Sequence, residues 1–200
     1  MPRQTIFTRE DIIRAAYDLV EEKGLHRLTA RGVAGKLNSS TAPVYTNFKT
    51  MGDLSREVIR EGVKLLQHYA ISPHTDHVFL NMGVGIIKYA RDHRNLFRAM
   101  FLETNEYKDI LTQLHHDLLP VMDRDESLDT LSWTEKDDLL NKMAIVTHGI
   151  AAQVCVGLME LQKDEDITEI LVNVGTSVVS AAIADAERKS SHSIKDEESC

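Results

Sequence analysis

Apolar residues recur at helical spacing along nearly the whole chain. In the first segment, Ile12, Ala16 and Leu19 form one apolar stripe, which Thr8 precedes as a candidate N-cap and Gly24 follows as a candidate stop. No segment alternates apolar and polar residues over the length of a strand, and no Asn-Gly or Asp-Gly hairpin signal occurs. The pattern therefore predicts an all-α protein.

Cap signals divide the rest of the chain into further helices. Thr29 is placed to cap a short second helix, Ser40 a third of about seven residues, and Thr50 a long fourth. Ser72-Pro73 then interrupts the pattern and marks the clearest break in the chain. Beyond it, helices are predicted over residues 76–92, 95–102, 105–120, 133–162 and 167–188.

Residues 29–48 carry the most informative pattern. Two short helices are joined by Leu37, Asn38 and Ser39, a turn too tight for the helices to lie antiparallel. Asn38 stands where the backbone must become left-handed, which asparagine tolerates better than most residues. The helices must therefore cross at a steep angle, as in a helix-turn-helix whose second helix enters the major groove of DNA.

The third predicted helix has side chains that suit DNA. Those that can donate hydrogen bonds to phosphate oxygens are Tyr45, Thr46 and Lys49. Those that can approach base edges and thymine methyl groups are Thr41, Ala42 and Pro43. Pro43 is predicted as the third helical residue, where its missing N–H costs no helical hydrogen bond, with Ser40 capping through the N–H of Ala42. An ordinary pair of capped core helices explains the same residues equally well.

Residues 8–54 resemble the DNA-binding head of the tetracycline-repressor (TetR) family. The matching features, in order, are Ile12, Ala15-Ala16, Gly24-Leu25, Leu28-Thr29, Val33-Ala34, Leu37, Ser40, Val44-Tyr45, Phe48-Lys49 and Asp53-Leu54. Asn38 and Ser39 depart from the family pattern, which has a glycine and an apolar residue there. The resemblance implies a homodimer that binds a palindromic operator and is released by a small-molecule effector held in the C-terminal domain.

The resemblance also supports a set of DNA contacts. Thr29 and Arg31, at the positive start of the second helix, can reach the DNA backbone. The full predicted DNA-binding set is Thr29, Arg31, Ser40, Thr41, Ala42, Pro43, Tyr45, Thr46, Asn47 and Lys49. Gly32 and Gly35 stand inside the second helix, where each costs about 0.5–1 kcal/mol relative to alanine. They suggest a loose head that orders fully only on DNA.

The chain is predicted to divide into a helix-turn-helix domain (residues 1–54), a ligand-binding and dimerisation domain (55–189) and a disordered tail (190–200). The last two helices carry wide apolar faces, which predict a four-helix interface between two copies, although an intrachain core is the alternative. One face holds Leu140, Met143, Ala144, Thr147, Ile150, Ala151, Val154, Cys155 and Leu158. The other holds Ile167, Ile170, Leu171, Val174, Val178, Ala181 and Ala182.

Effector contacts are predicted among apolar and aromatic residues, since methionine and phenylalanine suit an adaptable cavity. The candidates are Tyr69, Met82, Ile86, Phe97, Met100, Phe101, Leu111, His115, Met143, Thr147 and His148. Plain core packing is the alternative for about half of them. A histidine on an apolar helix face is more often a satisfied core residue than a ligand contact.

Charge and composition narrow the function further. The net charge is −8, but residues 1–54 hold eight Lys or Arg and six Asp or Glu, so a mildly basic head precedes an acidic body. The two cysteines, Cys155 and Cys200, form no disulfide framework and suggest a reducing cytoplasm. The sequence contains no run of about 18 uncharged apolar residues, so no membrane span is expected. Neither a glycine-rich phosphate loop, a nucleophile elbow nor a metal-ligand spacing occurs, so we expect no enzyme, cofactor or metal.

The leading hypothesis is therefore a ligand-responsive repressor in the cytoplasm. An activator or a ligand-independent regulator would share all of these features. From other functional classes, a small helical enzyme or carrier with a vestigial head and a protein-interaction module remain open. The last of these would dimerise without salt-sensitive affinity for DNA.

Overall fold

The computed structural model describes residues 7–103 and 106–197, with side chains described as far as Lys189. These residues form helices and no strand, so the predicted all-α fold class is confirmed. The α-helices are α1 (Arg9–Lys23), α2 (Ala30–Lys36), α3 (Ala42–Asn47), α4 (Met51–Ile71), α5 (Val78–Asp92), α6 (Arg94–Phe101), α7 (Lys108–Leu118), α8 (Trp133–Cys155) and α9 (Asp164–Glu197). Short 3₁₀ helices cover Leu25–Arg27, Leu119–Arg124 and Glu126–Leu128.

The chain forms two compact units. The first consists of Met1–Leu66 and Asp92–Thr112, and the second consists of Gln67–Arg91 and Gln113–Cys200. These packing units do not follow the predicted functional division at residue 54, which stays a prediction. The physical reason is that α4 continues unbroken past that residue, while α6 packs against α1 within the first unit.

Local hydrogen bonds set the ends of α1. The Thr8 hydroxyl accepts from the Asp11 N–H at 3.2 Å, and the Asp11 carboxylate accepts from the Thr8 N–H at 2.9 Å, which closes a reciprocal capping box. Ile12 and Val20 are fully buried on the inner face. Gly24 ends the helix with φ +84°, a left-handed conformation that favours glycine, and its N–H donates to the Val20 carbonyl at 2.8 Å.

The C-terminal end of α1 is fastened to the start of α6. His93 Nδ1 lies 2.8 Å from Glu21 Oε1, and Asn95 Nδ2 donates to the Glu21 backbone carbonyl at 2.9 Å. Leu96 and Phe97, which follow, are fully buried. Because both contacts converge on one residue of α1, α6 is part of the packing that supports the first three helices.

Two buried polar side chains organise the second unit. Asn81 Oδ1 accepts from the Thr75 N–H at 2.6 Å and its Nδ2 donates to the Thr75 carbonyl at 3.0 Å, which ties down the loop that follows the predicted break. Asp125 accepts from the Phe79 N–H at 2.8 Å and from the Ser127 hydroxyl at 2.6 Å. The carboxylate therefore satisfies a free N–H at the start of α5.

The last two helices pack along each other within the second unit. Ser132 and Glu135 form a capping box at the start of α8. The helix ends at Cys155 instead of near residue 162, because Gly157 takes φ +78° and turns the backbone out of the helix. In contrast, α9 runs to Glu197, so residues 190–197 of the predicted disordered tail are helical, and residues 198–200 lie outside the described part of the chain.

One part of α9 is unusually apolar for its exposure. Among the described residues, the stretch Asp164–Lys189 is long and apolar enough to cross a membrane by length and composition, although the sequence suggested no such span. Only 17% of its most apolar window is buried within the protomer. The helix thus carries an apolar surface that the rest of this chain leaves largely uncovered.

Candidate nucleic-acid interface

The predicted turn between α2 and α3 is confirmed. The Thr29 hydroxyl caps α2 by accepting from the Gly32 N–H at 3.0 Å, and Val33 is fully buried beneath the helix. Asn38 has φ +50° and is the one non-glycine residue with positive φ in the described ranges. Leu37 is only half-buried, because the chain already leaves the helix there.

The third helix begins slightly later than predicted. It starts at Ala42 and has six residues, because Thr41 stands at the cap position, so Pro43 is the second helical residue and not the third. The Ser40 hydroxyl accepts from the Ala42 N–H at 3.4 Å, as the missing N–H of Pro43 required. In either register the proline lies in the first turn, where no helical hydrogen bond is lost.

Burial divides α3 into an inner and an outer face. Val44 is fully buried and Phe48 is 4% exposed, whereas Tyr45 between them is 59% exposed. The exposed members of the predicted DNA-binding set are Thr29, Arg31, Ser40, Ala42, Tyr45, Thr46 and Lys49. The half-buried members are Thr41, Pro43 and Asn47. All ten residues reach the surface of the first unit, and their contact with DNA stays a prediction.

Two polar side chains of α3 are already engaged by their own helix. The Thr46 hydroxyl donates to the Ala42 carbonyl at 2.9 Å, and Asn47 Nδ2 donates to the Pro43 carbonyl at 2.9 Å. Both are bonds to the residue four positions earlier, a common local choice for Thr and Asn. The sequence suggested that these side chains face DNA, but the folded helix holds their donors against its own backbone.

Cations of the head differ in how they are neutralised. Lys36 pairs with Glu22, and this hydrogen bond lowers the pKa of the Glu22 carboxyl. Arg9 is also paired, with Glu57. Arg31 and Lys49, by contrast, are exposed and form no ion pair with any residue in the described ranges. Their charge is therefore available to an anionic partner.

Arg9 supports the end of α3, which its position in the sequence did not indicate. Its guanidinium lies 4.8 Å from the centre of the Phe48 ring and 3.0 Å from the Glu57 carboxylate. A cation over an aromatic face is attracted by the ring quadrupole. Arg9 thus braces the residue that ends α3, and only the fold brings positions 9 and 48 together.

The two glycines of α2 have different roles, which changes the prediction of a loose head. A Cβ at Gly32 would lie 2.8 Å from Leu19 Cδ2 and 3.0 Å from the Arg27 carbonyl oxygen, so glycine is needed there for α2 to approach α1. A Cβ at Gly35 would meet no atom within 4 Å. Gly32 therefore indicates tight packing of α2 against α1. Packing does not require a glycine at Gly35, so only this residue supports the prediction of a loose head.

The predicted effector contacts fall into two groups, one in each compact unit. The first unit holds Phe97, Met100, Phe101 and Leu111. The second unit holds Tyr69, Met82, Ile86, His115, Met143, Thr147 and His148. Most are buried or half-buried, which suits both a cavity wall and plain core packing. Their contact with an effector stays a prediction.

The two histidines of the second group sit in different surroundings. His148 Nδ1 lies 2.8 Å from the Ala144 carbonyl, and burial lowers the pKa of the imidazole, so the side chain is neutral at pH 7. His115 Nε2 lies 2.8 Å from the Asp137 carboxylate near the surface. Thr147, beside His148, is 3% exposed. Among the described residues, no cluster of three or more His, Cys, Asp or Glu side chains is placed to hold a metal ion.

The apolar face assigned to dimerisation on α8 is mainly an intrachain core. Of that face, the protomer itself buries Leu140, Thr147, Ile150, Ala151, Val154 and Cys155. Leu158 belongs to that predicted face but lies beyond the end of α8 and is 80% exposed. Ile145 lies on α8 outside the predicted face and is 77% exposed. On α9, Val172 and Val174 are 43% and 44% exposed. Ile145 and Val172 were missed because α8 and α9 are apolar on more than one side.

A solved structure has the same fold. The crystal structure of the multidrug binding protein EbrR complexed with imidazole matches with a TM-score of 0.59 and 18% sequence identity, over 82% of this chain and 93% of that chain. At this identity the likeness shows the fold alone, and it is the all-helical fold expected from the resemblance to the TetR family. No protein-family model and no curated protein sequence matches the chain.

Proposed function

We propose that this chain is a ligand-responsive transcriptional repressor. A homodimer binds a palindromic operator in double-stranded DNA through α2 and α3 of each copy. A small molecule bound in the C-terminal helical domain then releases the DNA. The protein acts in the cytoplasm and catalyses no reaction.

The surface of α3 is the observation that carries this proposal. The helix buries Val44 and presents small or hydrogen-bonding residues outward, with Tyr45 the most prominent. Arg31 and Lys49 flank it as cations that no described acid neutralises. Phosphate oxygens are bound by such cations and by tyrosine and threonine hydroxyls, and these contacts hold a protein in register on DNA.

Loss of two phosphate contacts tests the DNA-binding function. Tyr45→Ala and Lys49→Ala should each weaken binding to the chain's own upstream DNA by at least about tenfold, since a hydrogen bond to a charged group contributes about 1.5–3 kcal/mol. Lys49→Ala should also reduce the slope of log affinity against log salt by about one. Titrated gel shifts and footprinting measure both effects.

Lys163→Ala is the matched control, because it removes the same charge from an exposed position in the second unit that precedes α9 and lies outside α8. It should leave affinity and salt slope unchanged. If Tyr45→Ala and Lys49→Ala bind a footprinted operator as tightly as the unaltered chain, the surface of α3 is not the DNA reader.

The homodimer is supported by the exposed apolar surface of α8 and α9. Ile145, Val172 and Val174 lie on helices that pack together within the second unit, and each is more than two-fifths exposed. Only 17% of the most apolar window of α9 is buried within the protomer, and an exposed apolar surface of that kind commonly marks a protein interface. A symmetric contact between two copies would cover the same residues on both.

Release by a small molecule is proposed from the resemblance, from the fold shared with a multidrug binding protein, and from the apolar candidates in the C-terminal region. Compounds that raise the melting temperature of the purified dimer identify binders, and each binder is then added to the gel shift. Release of DNA by at least one binder supports the proposal. Unchanged gel shifts with every binder would count against ligand control while leaving operator binding intact.

A further inference from the structure

We propose that the outer face of α3 recognises thymine through the C5-methyl group, as the base that specifies the operator half-site. This inference rests on the proposed operator binding and names the base that the protein would recognise in the operator. It follows from the side chains that α3 presents and from those that the folded helix withholds.

Recognition of guanine and adenine in the major groove has known requirements. Guanine is read most often by Arg or Lys, and adenine by an Asn or Gln amide that uses its oxygen and nitrogen together. Residues 40–47 contain no Arg, Lys or Gln. Their amide is Asn47, which is half-buried and donates through Nδ2 to the Pro43 carbonyl at 2.9 Å. An amide held in this way is poorly placed to pair with adenine on both atoms.

Thr46 is withheld from base recognition in the same manner. Its hydroxyl hydrogen is used in the 2.9 Å bond to the Ala42 carbonyl. The hydroxyl oxygen can still accept a hydrogen bond, but phosphate oxygens offer no donor. Within α3, direct donation to a base or phosphate is therefore left mainly to Tyr45, whose side chain is 59% exposed.

The remaining surface includes methyl and methylene groups, beside the Ser40 and Thr41 hydroxyls. Thr41, Ala42 and Pro43 are consecutive, Ala42 is exposed, and the other two are half-buried against the first unit. Ala and the Thr methyl group are suited to apolar contact with the thymine methyl, which projects into the major groove. A cytosine presents an amino donor at the adjoining position, and none of these three side chains offers a carboxylate to accept from it.

Replacing thymine by deoxyuridine tests this chemistry, because the exchange removes the methyl group and keeps every base-pairing atom. An operator is first defined with the full chain, by footprinting its upstream DNA or by selection from random duplexes. Deoxyuridine at a contacted position should weaken binding about fourfold per half-site, the amount expected for one buried methyl group. Deoxyuridine in the spacer between half-sites should have no effect.

Two variants locate the recognition on α3. Ala42→Gly and Pro43→Ala each remove apolar surface without changing charge, and the quantity measured is the ratio of affinities for thymine and deoxyuridine duplexes. The ratio should fall towards one in at least one variant. A variant that simply folded poorly would weaken both duplexes equally and leave the ratio unchanged.

The outcomes separate this inference from the function beneath it. Equal affinity of the unaltered chain for thymine and fully deoxyuridine-substituted operators would overturn thymine recognition and leave operator binding standing. A ratio above one that neither variant changes would overturn the assignment to Ala42 and Pro43. A chain that binds no operator at all would overturn the proposed function and the inference together.

Discussion

The outward-facing side chains of α3 and α8 differ in chemistry, although both helices are anchored by buried apolar residues. Each helix buries apolar side chains against its own unit, Val44 on α3 and Val154 on α8. On the outside, α3 presents hydroxyl, methyl and aromatic groups of modest size, while α8 presents Ile145 at 77% exposure among polar residues such as Asn141. The first chemistry suits a hydrated polyanion and the second suits another apolar surface. The exposed side, and not the buried one, therefore indicates the class of partner.

Disrupting the apolar surface should give the largest effect. Ile145→Asp places a carboxylate on both sides of a symmetric contact, and each lost isoleucine removes about 1.5–3 kcal/mol of apolar burial. The dimer dissociation constant should rise by at least about 100-fold, as measured by sedimentation or light scattering over a concentration series. Ile71→Asp is the control, since Ile71 on α4 is 51% exposed and lies on neither of the last two helices. An Ile145→Asp chain with unchanged mass at every concentration would show that α8 is not the interface.

Substitution of the two glycines of α2 tests how tightly the helix-turn-helix region is packed. Gly32→Ala should lower the free energy of unfolding by about 1–3 kcal/mol, because the new Cβ overlaps Leu19 and the Arg27 carbonyl. Gly35→Ala should raise it by about 0.5–1 kcal/mol, because the Cβ meets nothing and alanine favours helix. Urea unfolding of both variants measures the difference. A stabilising Gly32→Ala would mean that α2 can move away from α1 without cost.

Buried His148 should make the body sensitive to mild acid. Its pKa is lowered by burial in the folded chain, so the unfolded chain binds the proton more readily and stability falls as the pH drops below about 6.5. The slope is limited to about 1.4 kcal/mol per pH unit. His148→Asn should flatten it while keeping a bond to the Ala144 carbonyl, as Asn141 does with Asp137 at 2.9 Å. Equal pH dependence in both proteins would assign the slope to other groups.

The smallest effect is expected at the surface of α8. Lys189 and Ser132 lower the pKa of Glu135 to about 2. A carboxylate with a lowered folded pKa stabilises above its unfolded value of 4.5, and that contribution is lost as the pH falls from 4.5 towards 2. Melting temperatures of Glu135→Gln and the unaltered chain should therefore differ slightly at pH 7 and converge in acid. Curves that stay parallel down to pH 3 would contradict an ionic role.

The head was predictable from sequence because its signals are local. Thr8, Asn38 and Ser40 act on residues within three positions. The structure places Thr8 and Asn38 where the pattern put them, and Ser40 accepts from the Ala42 N–H as expected although Thr41 holds the cap position. The space around Gly32 was not predictable, since it depends on Leu19, which only the fold brings near. The hydrogen bond from Asn47 to the Pro43 carbonyl could not be predicted from the sequence either, because an asparagine on a helix can bond to its own helix or to a partner.

The body was less predictable because its helices are apolar on several sides. Periodicity could not tell which side of α8 faces its own unit. Ile145 was therefore overlooked, and Leu140, for which an interface and an intrachain core were both open, is part of the core. The end of α8 was placed too late, although Gly157 is a local stop, because Leu158 and Leu161 continue the helical spacing beyond it. Where several faces of a helix carry the same residue types, the sequence predicts the helix, but only the packing shows which face lies in the core.

The left-handed turn at Asn38 limits how this protein can vary. Glycine would adopt that conformation with the least strain, yet no single nucleotide change converts an asparagine codon into a glycine codon. The accessible neighbours are Asp, His, Lys, Ser, Thr, Tyr and Ile, and of these Asp and His are the residues that tolerate positive φ. Either would alter the charge beside α3 or its response to pH. Random mutation therefore has no single-step route from Asn38 to the residue that would adopt this turn with the least strain.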